Sequence, residues 1–209
     1  MHSPAAVRAR PAFAATVVLA LSTAVLPHAA VAQTAPSAEA RAAIETALAT
    51  GYGGDCGDAP MGGGDREIVV WEIGYTPSWT DERQSVTLYR ALCTMGAYNA
   101  VHAWFRDEGY GLAPLAFPEP NLAIRYRDEN QESVKSIAVD GWRAVALVVN
   151  SELDPRAGAL TTYSAWRGLG DAYSSARYVF EEGAFVLERF EVDPTYDGEQ
   201  DATMVFERR

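Results

Sequence analysis

The side chains that most often perform nucleophilic or acid–base catalysis are scarce in this 209-residue chain. His102 is the only histidine after residue 32, and it lies among apolar neighbours in an alternating stretch. A serine hydrolase needs a histidine base beside its nucleophile, and the Gly-x-Ser-x-Gly turn of one large class is absent. We therefore interpret His102 as a structural residue and predict no catalytic residue, no metal ligand and no cofactor.

Carboxylates are the other acid–base groups, and the chain has 28 of them. The segments "DCGD" (55–58) and "DPTYDGEQD" (193–201) offer oxygen ligands, but neither has the spacing of a calcium-binding EF-hand, so a calcium site stays open. Paired acids hydrolyse glycosides when they lie about 5–10 Å apart across a cleft. No motif places two acids in this way, and a carboxylate-dependent hydrolase stays an alternative.

Residues 1–32 have the features of a secretory signal peptide. Arg8 and Arg10 precede an apolar run, and small residues follow it up to Ala32, after which we predict cleavage. A membrane anchor is the weaker alternative, because Pro27 interrupts the run and a spanning helix needs about 20 apolar residues. We therefore expect a periplasmic or secreted protein without a transmembrane anchor after cleavage.

Export to an oxidising compartment changes the interpretation of the two cysteines, Cys56 and Cys93. We predict a disulfide between them, worth about 3–4 kcal/mol in the chain-entropy model. A two-cysteine metal site is the alternative, but a second pair of ligands with suitable spacing is missing from the sequence.

The charge of the chain restricts its partners. The formal net charge is −11, and removal of the first 32 residues, which include Arg8 and Arg10 but no acid, would make it −13. Nucleic acid and anionic lipid would repel such a protein. We expect a partner in the cell envelope that is a cationic protein, such as a lysozyme, or a small ligand.

Residues 33–65 are predicted to form a helix followed by a glycine-rich loop. Ser37 is a suitable N-cap, Ile44 and Leu48 share one helix face, and Gly51 follows the last turn.

After Asp65 the hydrophobic period changes from helical to two, which is typical of strands. We predict strands at 66–75, 83–93, 97–109 and 112–120, the last stopped by prolines. Two short strands follow at 121–126 and 134–139, and the pattern begins again at Gly141.

Two stretches of the strand region are alike: "GAYNAVHAWFRDEG" (96–109) and "GDAYSSARYVFEEG" (170–183). Upstream of them, Thr87 and Tyr89 match Thr161 and Tyr163. An antiparallel meander has one apolar face that needs a cover, and a second copy supplies one. We therefore predict an all-β domain (66–209) with an internal repeat at about 66–118 and 143–192. Two four-stranded antiparallel meanders would pack together, with a short N-terminal α-helix.

The candidate binding loops come from this repeat. The segment "RGLGD" precedes a strand and not a helix, so it is not a phosphate-binding loop. A tight turn is one interpretation; the other is a presented loop with Trp166 and Arg167 as anchors, residue types enriched at binding hot spots. The candidate binding-loop residues are Gly96, Tyr98, Trp166, Arg167, Gly168, Gly170, Asp171 and Tyr173.

The region from Val148 onward resembles a bacterial family of exported proteins known only as domain of unknown function 1176. The match is carried by "CTMGAYN" (93–99) and by a set of later residues, which comprises Asn150, Asp154, Pro155, Gly158, Leu160, Arg167, Gly168, Leu169, Gly170, Asp171, Gly183 and Phe185. Family members usually carry two further cysteines where this chain has Ala172 and, approximately, Tyr196. The resemblance implies that a second disulfide has been lost and that the final segment is less constrained.

A second similarity, to periplasmic lysozyme inhibitors, rests on one loop. Those proteins present a Ser-Gly-x-Tyr-like loop, and "MGAY" keeps Gly96 and Tyr98 but has Met95 in place of the serine. We therefore expect a non-catalytic binding or envelope-associated interaction module, with lysozyme inhibition as the alternative.

Overall fold

A computed structural model describes residues 35–56 and 64–209 of the chain. The predicted signal peptide and part of the predicted glycine-rich loop lie outside these residues. The fold is all-β with one α-helix, as predicted from the sequence.

The helix α1 (Ala38–Gly51) begins where its sequence predicts. The Ser37 hydroxyl accepts a hydrogen bond from the Ala40 amide at 3.1 Å, and Ile44 and Leu48 are fully buried. A short 3₁₀ turn (Gly53–Asp55) follows, and then the predicted disulfide between Cys56 and Cys93. The disulfide therefore attaches the helical segment to the sheet on which it packs.

The first sheet is antiparallel and has five strands. They are β1 (Ile68–Tyr75), β2 (Gln84–Met95), β3 (Ala100–Asp107), β4 (Leu112–Pro114) and β7 (Leu147–Val149). The order is β1-β2-β3-β4, and β7 shares the outer edge of β3 with β4, so that β3 pairs with both.

The second sheet is also antiparallel, with its strands in consecutive order. They are β8 (Glu152–Asp154), β9 (Ala159–Ala165), β10 (Tyr173–Glu181), β11 (Ala184–Asp193) and β12 (Thr203–Glu207). The two similar stretches of the sequence, 96–109 and 170–183, are therefore largely strand and not helix, as predicted. Each sheet contains a meander; the internal repeat itself stays a prediction.

Successive side chains of a strand point to opposite faces of its sheet, and the first sheet has a hydrophobic core on each face. One face packs on α1 and includes Ile68, Cys93 and Phe105. The other packs on the second sheet through Trp71, Trp104, Phe117, Tyr178 and Phe185. Trp71 stacks on Trp104 within the first sheet, with ring centroids 5.2 Å apart. Trp104 also contacts Phe185 of the second sheet edge to face, with centroids 6.0 Å apart, and this contact joins the two sheets.

A long hairpin lies between the two sheets in the chain, and here the predicted strand bounds are wrong. β5 (Phe117–Tyr126) and β6 (Val134–Val145) form a separate two-stranded sheet. Pro118 and Pro120 do not end a strand as predicted: β5 pairs with β6 alone, so the missing N–H groups can lie on its unpaired side.

The predicted start of the second meander is also wrong. Residues 141–145 belong to β6, and the residues that follow, 146–155, contain the two short strands β7 and β8. β7 pairs with β3 of the first sheet, whereas β8 pairs with β9 of the second. Asn150, with φ of 43°, lies between β7 and β8, at the point where the chain passes from one sheet to the other.

Candidate functional site

A cleft of about 740 Å³ opens between the β5–β6 hairpin, β7 and the second sheet. This volume is within the range of about 300–1,000 Å³ that is common for small-molecule sites. The side chains on its walls include Glu119, Asn121, Asp140, Arg143, Thr162, Ser164, Trp166, Ser174 and Ser175. We call it the hydroxyl-lined cleft.

The second sheet forms one wall of the cleft because its inner face changes from apolar to polar along the strands. Across β9 and β10, Leu160 pairs with Tyr178 in the core, and Ser164 pairs with Ser174 four residues further along. Positions separated by two residues share a face, so these hydroxyls continue the row that begins in the core. The hydroxyl groups of Ser164 and Ser174 form no hydrogen bond within the described residues, and they can bond to a ligand or to water.

The hairpin forms the opposite wall and carries the charged groups. Arg143 donates to Glu119 at 3.0 Å, directly across the β5–β6 ladder. Asn121 pairs with Gly141 at an irregularity of the ladder, and Asp140 precedes that glycine. A Cβ at Gly141 would lie 3.3 Å from the Asn121 amide nitrogen, so the glycine leaves room for that side chain.

Trp166 reaches the cleft from the end of β9, and the loop that follows is internally held. Arg167 donates to Asp171 through Nε at 2.7 Å and through a second guanidinium nitrogen, and its Cζ lies 5.0 Å from the Tyr196 ring centroid. The Asp171 side chain is only 3% exposed, and Gly198 also donates to it. The hydrogen bonds from Arg167, with backbone amides, hold the pKa of Asp171 well below its usual range.

The turn after Trp166 is closed at Gly170. This residue has φ of +71°, and its carbonyl accepts hydrogen bonds from the Tyr163 hydroxyl at 3.1 Å and the Gln200 amide at 2.8 Å. Tyr163 also stacks on Tyr173, with centroids 5.0 Å apart. Gly170 and Tyr173 therefore support the loop, and the segment after β11 lies against it through Gln200, although the chain has no second pair of cysteines.

The two predicted binding loops lie side by side. Asn99 donates to the Ala165 carbonyl at 2.8 Å, and Asn150 donates to the Tyr163 carbonyl at 3.0 Å and to Asn99 at 3.1 Å. A Cβ at Gly168 would lie 3.6 Å from the Tyr98 ring.

The outer edge of these paired loops is partly apolar. Tyr98 is 48% exposed and Leu169 76% exposed, and we call this surface the Tyr98–Leu169 edge. Gly96 lies at the base of the first loop, where its amide donates to the Asn99 carbonyl at 2.8 Å. The structure therefore brings Tyr98 and Gly168 together at this edge and places Trp166 in the cleft.

His102 is part of a buried hydrogen-bond chain. Trp104 Nε1 donates to Ser151 Oγ at 2.9 Å, and Ser151 Oγ lies 2.9 Å from His102 Nδ1. The hydroxyl can then donate to Nδ1, which leaves the imidazole proton on Nε2. Burial, together with the charge of Arg90, lowers the pKa of His102 to about 4. Ser151 is completely buried and His102 is nearly so, and both lie beneath a small pocket of about 200 Å³. That His102 is a structural residue stays a prediction.

Within 35–56 and 64–209, no group of three or more histidine, cysteine or acidic side chains is arranged to hold a metal ion. Over the same residues, no helix has the length and apolar character needed to cross a membrane.

Sequence reasoning found Trp166 but missed the remainder of the cleft. The sequence did contain a sign of the hydroxyl wall. Leu160, Thr162 and Ser164 are two residues apart and so share one strand face, and a fully buried face would have apolar residues at all three positions. The hairpin wall had no such signal, because the pairing of Glu119 with Arg143 depends on a hairpin of unusual length.

These features define an all-β protein that has a cleft of ligand size between a sheet and a hairpin. The chain belongs to the family described as "Protein of unknown function (DUF1176)", whose model matches residues 22–204. No curated protein and no solved structure matches the chain. Membership in the family confirms the resemblance identified from the sequence motifs, whereas the similarity to lysozyme inhibitors stays a prediction.

Proposed function

We propose that the protein is an exported, non-catalytic binding protein of the cell envelope, and that the hydroxyl-lined cleft holds its ligand. The observation that carries this proposal is the change of the second sheet's inner face from the Leu160–Tyr178 pair to the Ser164–Ser174 pair. A face that only completed a hydrophobic core would keep apolar residues there, since an unpaired buried hydroxyl costs about 1–3 kcal/mol.

The position of the cleft supports a binding role without catalysis. Both acids of the lining, Glu119 and Asp140, belong to the same hairpin, and the wall that faces them carries hydroxyl groups. Arg143 already engages the carboxylate of Glu119. In a glycosidase, two carboxyl groups flank the scissile bond. One is free to donate a proton, and the other is free to attack the sugar or to activate water.

The test is recovery of a bound small molecule. The purified protein is incubated with a small-molecule extract of the cell envelope, separated from unbound compounds and denatured, and the released compounds are identified by mass spectrometry. We expect a compound retained by the wild type and by Trp79→Ala, an exposed tryptophan outside the cleft lining, but lost from Trp166→Ala. An identical set of released compounds from all three proteins would contradict a binding role for the cleft.

Lysozyme inhibition is a second candidate, favoured by the Tyr98–Leu169 edge. Two loops from different sheets meet there and expose apolar side chains, and the acidic chain would attract a basic enzyme. If this candidate is correct, the protein suppresses cell-wall lysis by a chicken-, invertebrate- or goose-type lysozyme, and added salt weakens the inhibition. Tyr98→Ala and Leu169→Ser should reduce it, whereas Tyr110→Ala, at a 97% exposed tyrosine outside these loops, should not. Failure to inhibit any of the three classes at low salt eliminates this candidate.

A carboxylate-dependent hydrolase is the third candidate, favoured by the presence of Glu119 and Asp140 in one cleft. It requires turnover of a glycoside that is lost in Glu119→Gln and in Asp140→Asn. Turnover that survives both substitutions, or that is absent from the wild type, contradicts it.

A further inference from the structure

The chemistry of the hydroxyl-lined cleft restricts the class of its ligand, and this inference rests on the proposed function. We infer that the cleft binds a neutral, hydroxyl-rich ring, that is, a saccharide unit. The charge of the lining, its hydrogen-bonding groups and the aromatic side chain at its edge all favour such a ligand.

The charge of the lining disfavours an anionic ligand. Three charged side chains line the cleft, namely Glu119, Asp140 and Arg143. Arg143 is paired with Glu119 at 3.0 Å, so Asp140 contributes the uncompensated charge. Unpaired cationic groups favour a phosphate or carboxylate ligand, and Arg143, the cation among these lining residues, is already paired.

The hydrogen-bonding groups of the opposite wall suit hydroxyl groups. Thr162, Ser164 and Ser174 lie on one face of β9 and β10, and each hydroxyl can donate one bond and accept others. The Asn121 amide on the hairpin adds donors and an acceptor. A sugar hydroxyl also donates and accepts, so the two sets complement one another. An ammonium group only donates and would require more carboxylates than the one unpaired acid here.

Trp166 supplies the apolar contact that a sugar ring requires. It is half-buried at the end of β9 and lines the cleft, and its loop is fixed by the Arg167–Asp171 ion pair. The face of an indole ring is electron-rich and attracts the weakly positive C–H hydrogens of a saccharide ring. Because the loop is already ordered, little conformational entropy is lost when a ring stacks on the indole.

The test measures binding of defined probes by isothermal titration calorimetry and by NMR. The probes are a neutral glucose trisaccharide, a neutral N-acetylglucosamine trisaccharide, putrescine as a diamine and inorganic phosphate. We expect at least one trisaccharide to bind in the millimolar range or tighter. Trp166→Ala and the double variant Ser164→Ala/Ser174→Ala should each weaken it about tenfold or more, which corresponds to 1.4 kcal/mol.

Matched controls distinguish the cleft from the remainder of the surface. Trp79→Ala removes an exposed tryptophan, and Ser85→Ala removes an exposed strand serine of β2; both should leave the affinity unchanged. Trisaccharide binding that is insensitive to the cleft variants would overturn the inference, because the sugar would then bind elsewhere.

Two further outcomes would overturn the saccharide class and can be separated from failure of the proposed function. Binding of putrescine or phosphate without trisaccharide binding overturns the saccharide class. If Trp166→Ala then abolishes the binding of that probe, the cleft is still a binding site. No binding of either trisaccharide also overturns the inference. The envelope-extract experiment then decides whether the proposed function survives, since it does not depend on the choice of probe.

Discussion

At the scale of single residues, the buried imidazole of His102 connects stability to pH. Its pKa is about 4 in the folded protein against an ordinary value of 6.5. Between these values the unfolded chain binds more protons than the folded protein, so the free energy of unfolding falls as the pH is lowered from 6.5 to 4. We expect this residue to contribute a loss of about 2–3 kcal/mol over that interval and no further loss below it.

The measurement compares urea unfolding of the wild type and His102→Gln across the same pH interval. Acidic residues titrate near its lower end in both proteins, so the difference between the two curves isolates the histidine. The variant should show a flatter dependence on pH. Parallel curves would mean that folding does not lower the pKa of His102.

Tyr178 differs from His102, because its buried polar atom lacks a hydrogen-bond partner within the described residues. Its side chain is fully buried, and its hydroxyl forms no hydrogen bond within the described residues. Burial raises the pKa of Tyr178, and the nearby Glu119 carboxylate raises it further. Removing an unsatisfied hydroxyl from the core removes its desolvation cost.

We therefore expect Tyr178→Phe to be neutral or more stable than the wild type by up to about 1 kcal/mol. Thermal and urea unfolding of the two proteins measure this difference. The ring contact with Phe117, at 5.2 Å between centroids, should be retained by phenylalanine. A destabilisation above about 1 kcal/mol would show that the hydroxyl has a partner, such as an ordered water.

At the scale of elements, α1 is attached to the first sheet by the disulfide and by Arg66. The Arg66 guanidinium is buried and donates to Glu45 of the helix at 3.1 Å and to the Cys93 carbonyl at 3.0 Å. Replacing both cysteines by serine should lower the free energy of unfolding by about 3–4 kcal/mol, because the unfolded chain regains the entropy of a 37-residue separation.

The contribution of the disulfide to the free energy of unfolding is measured by urea unfolding with and without a reducing agent. Reduction should destabilise the wild type and leave the double serine variant unchanged. Equal stability of the oxidised wild type and the variant would contradict it, as would two free thiols in protein purified without reductant.

The hairpin between β10 and β11 turns in two residues, and this geometry requires glycine. Glu182 and Gly183 have φ of 52° and 79°, the combination of a type I′ turn. A Cβ on Gly183 would also clash with the Arg106 guanidinium, which donates to the Gly183 carbonyl. Gly109 has φ of +90° as well, but a Cβ there would meet no atom within 4 Å.

Gly183→Ala should therefore cost more than Gly109→Ala. We expect about 1 kcal/mol for the backbone strain at either position, and about 1 kcal/mol more at Gly183 for the disturbed hydrogen bond. Urea unfolding of the two variants measures the difference. Equal losses would show that the Arg106 contact contributes nothing, and a larger loss at Gly109 would contradict the turn assignment.

Most elements could be predicted from local patterns, and the exceptions have a physical cause. Ser37, Ile44 and Leu48 specify the helix through a cap and a single buried face. The period-two pattern specifies the long strands of both sheets. Pro118 and Pro120 misled the prediction, because whether proline ends a strand depends on whether both edges of that strand are paired, and pairing is a tertiary property.

At the scale of the whole molecule, the candidate site follows from how the sheets and the hairpin meet. Trp166 could be singled out by its type and by its loop. Glu119 and Arg143 could not, because they are 24 residues apart and face one another only across the hairpin ladder. Likewise, Arg167 was expected as an exposed anchor, but its partner Asp171 shows that much of its role is to order the loop that carries Trp166. Its part in binding stays a prediction.

We propose the hydroxyl-lined cleft, and not the Tyr98–Leu169 edge, as the ligand-binding surface. The most direct measurement is an amide NMR titration of the ¹⁵N-labelled protein with the small-molecule envelope extract. We predict shifted resonances from the two walls, at residues 119, 121, 122, 140–145, 162–166 and 174–175, and we expect Trp166→Ala to abolish these shifts. Shifts confined to Tyr98 and residues 168–170, with the cleft unchanged, would contradict the claim.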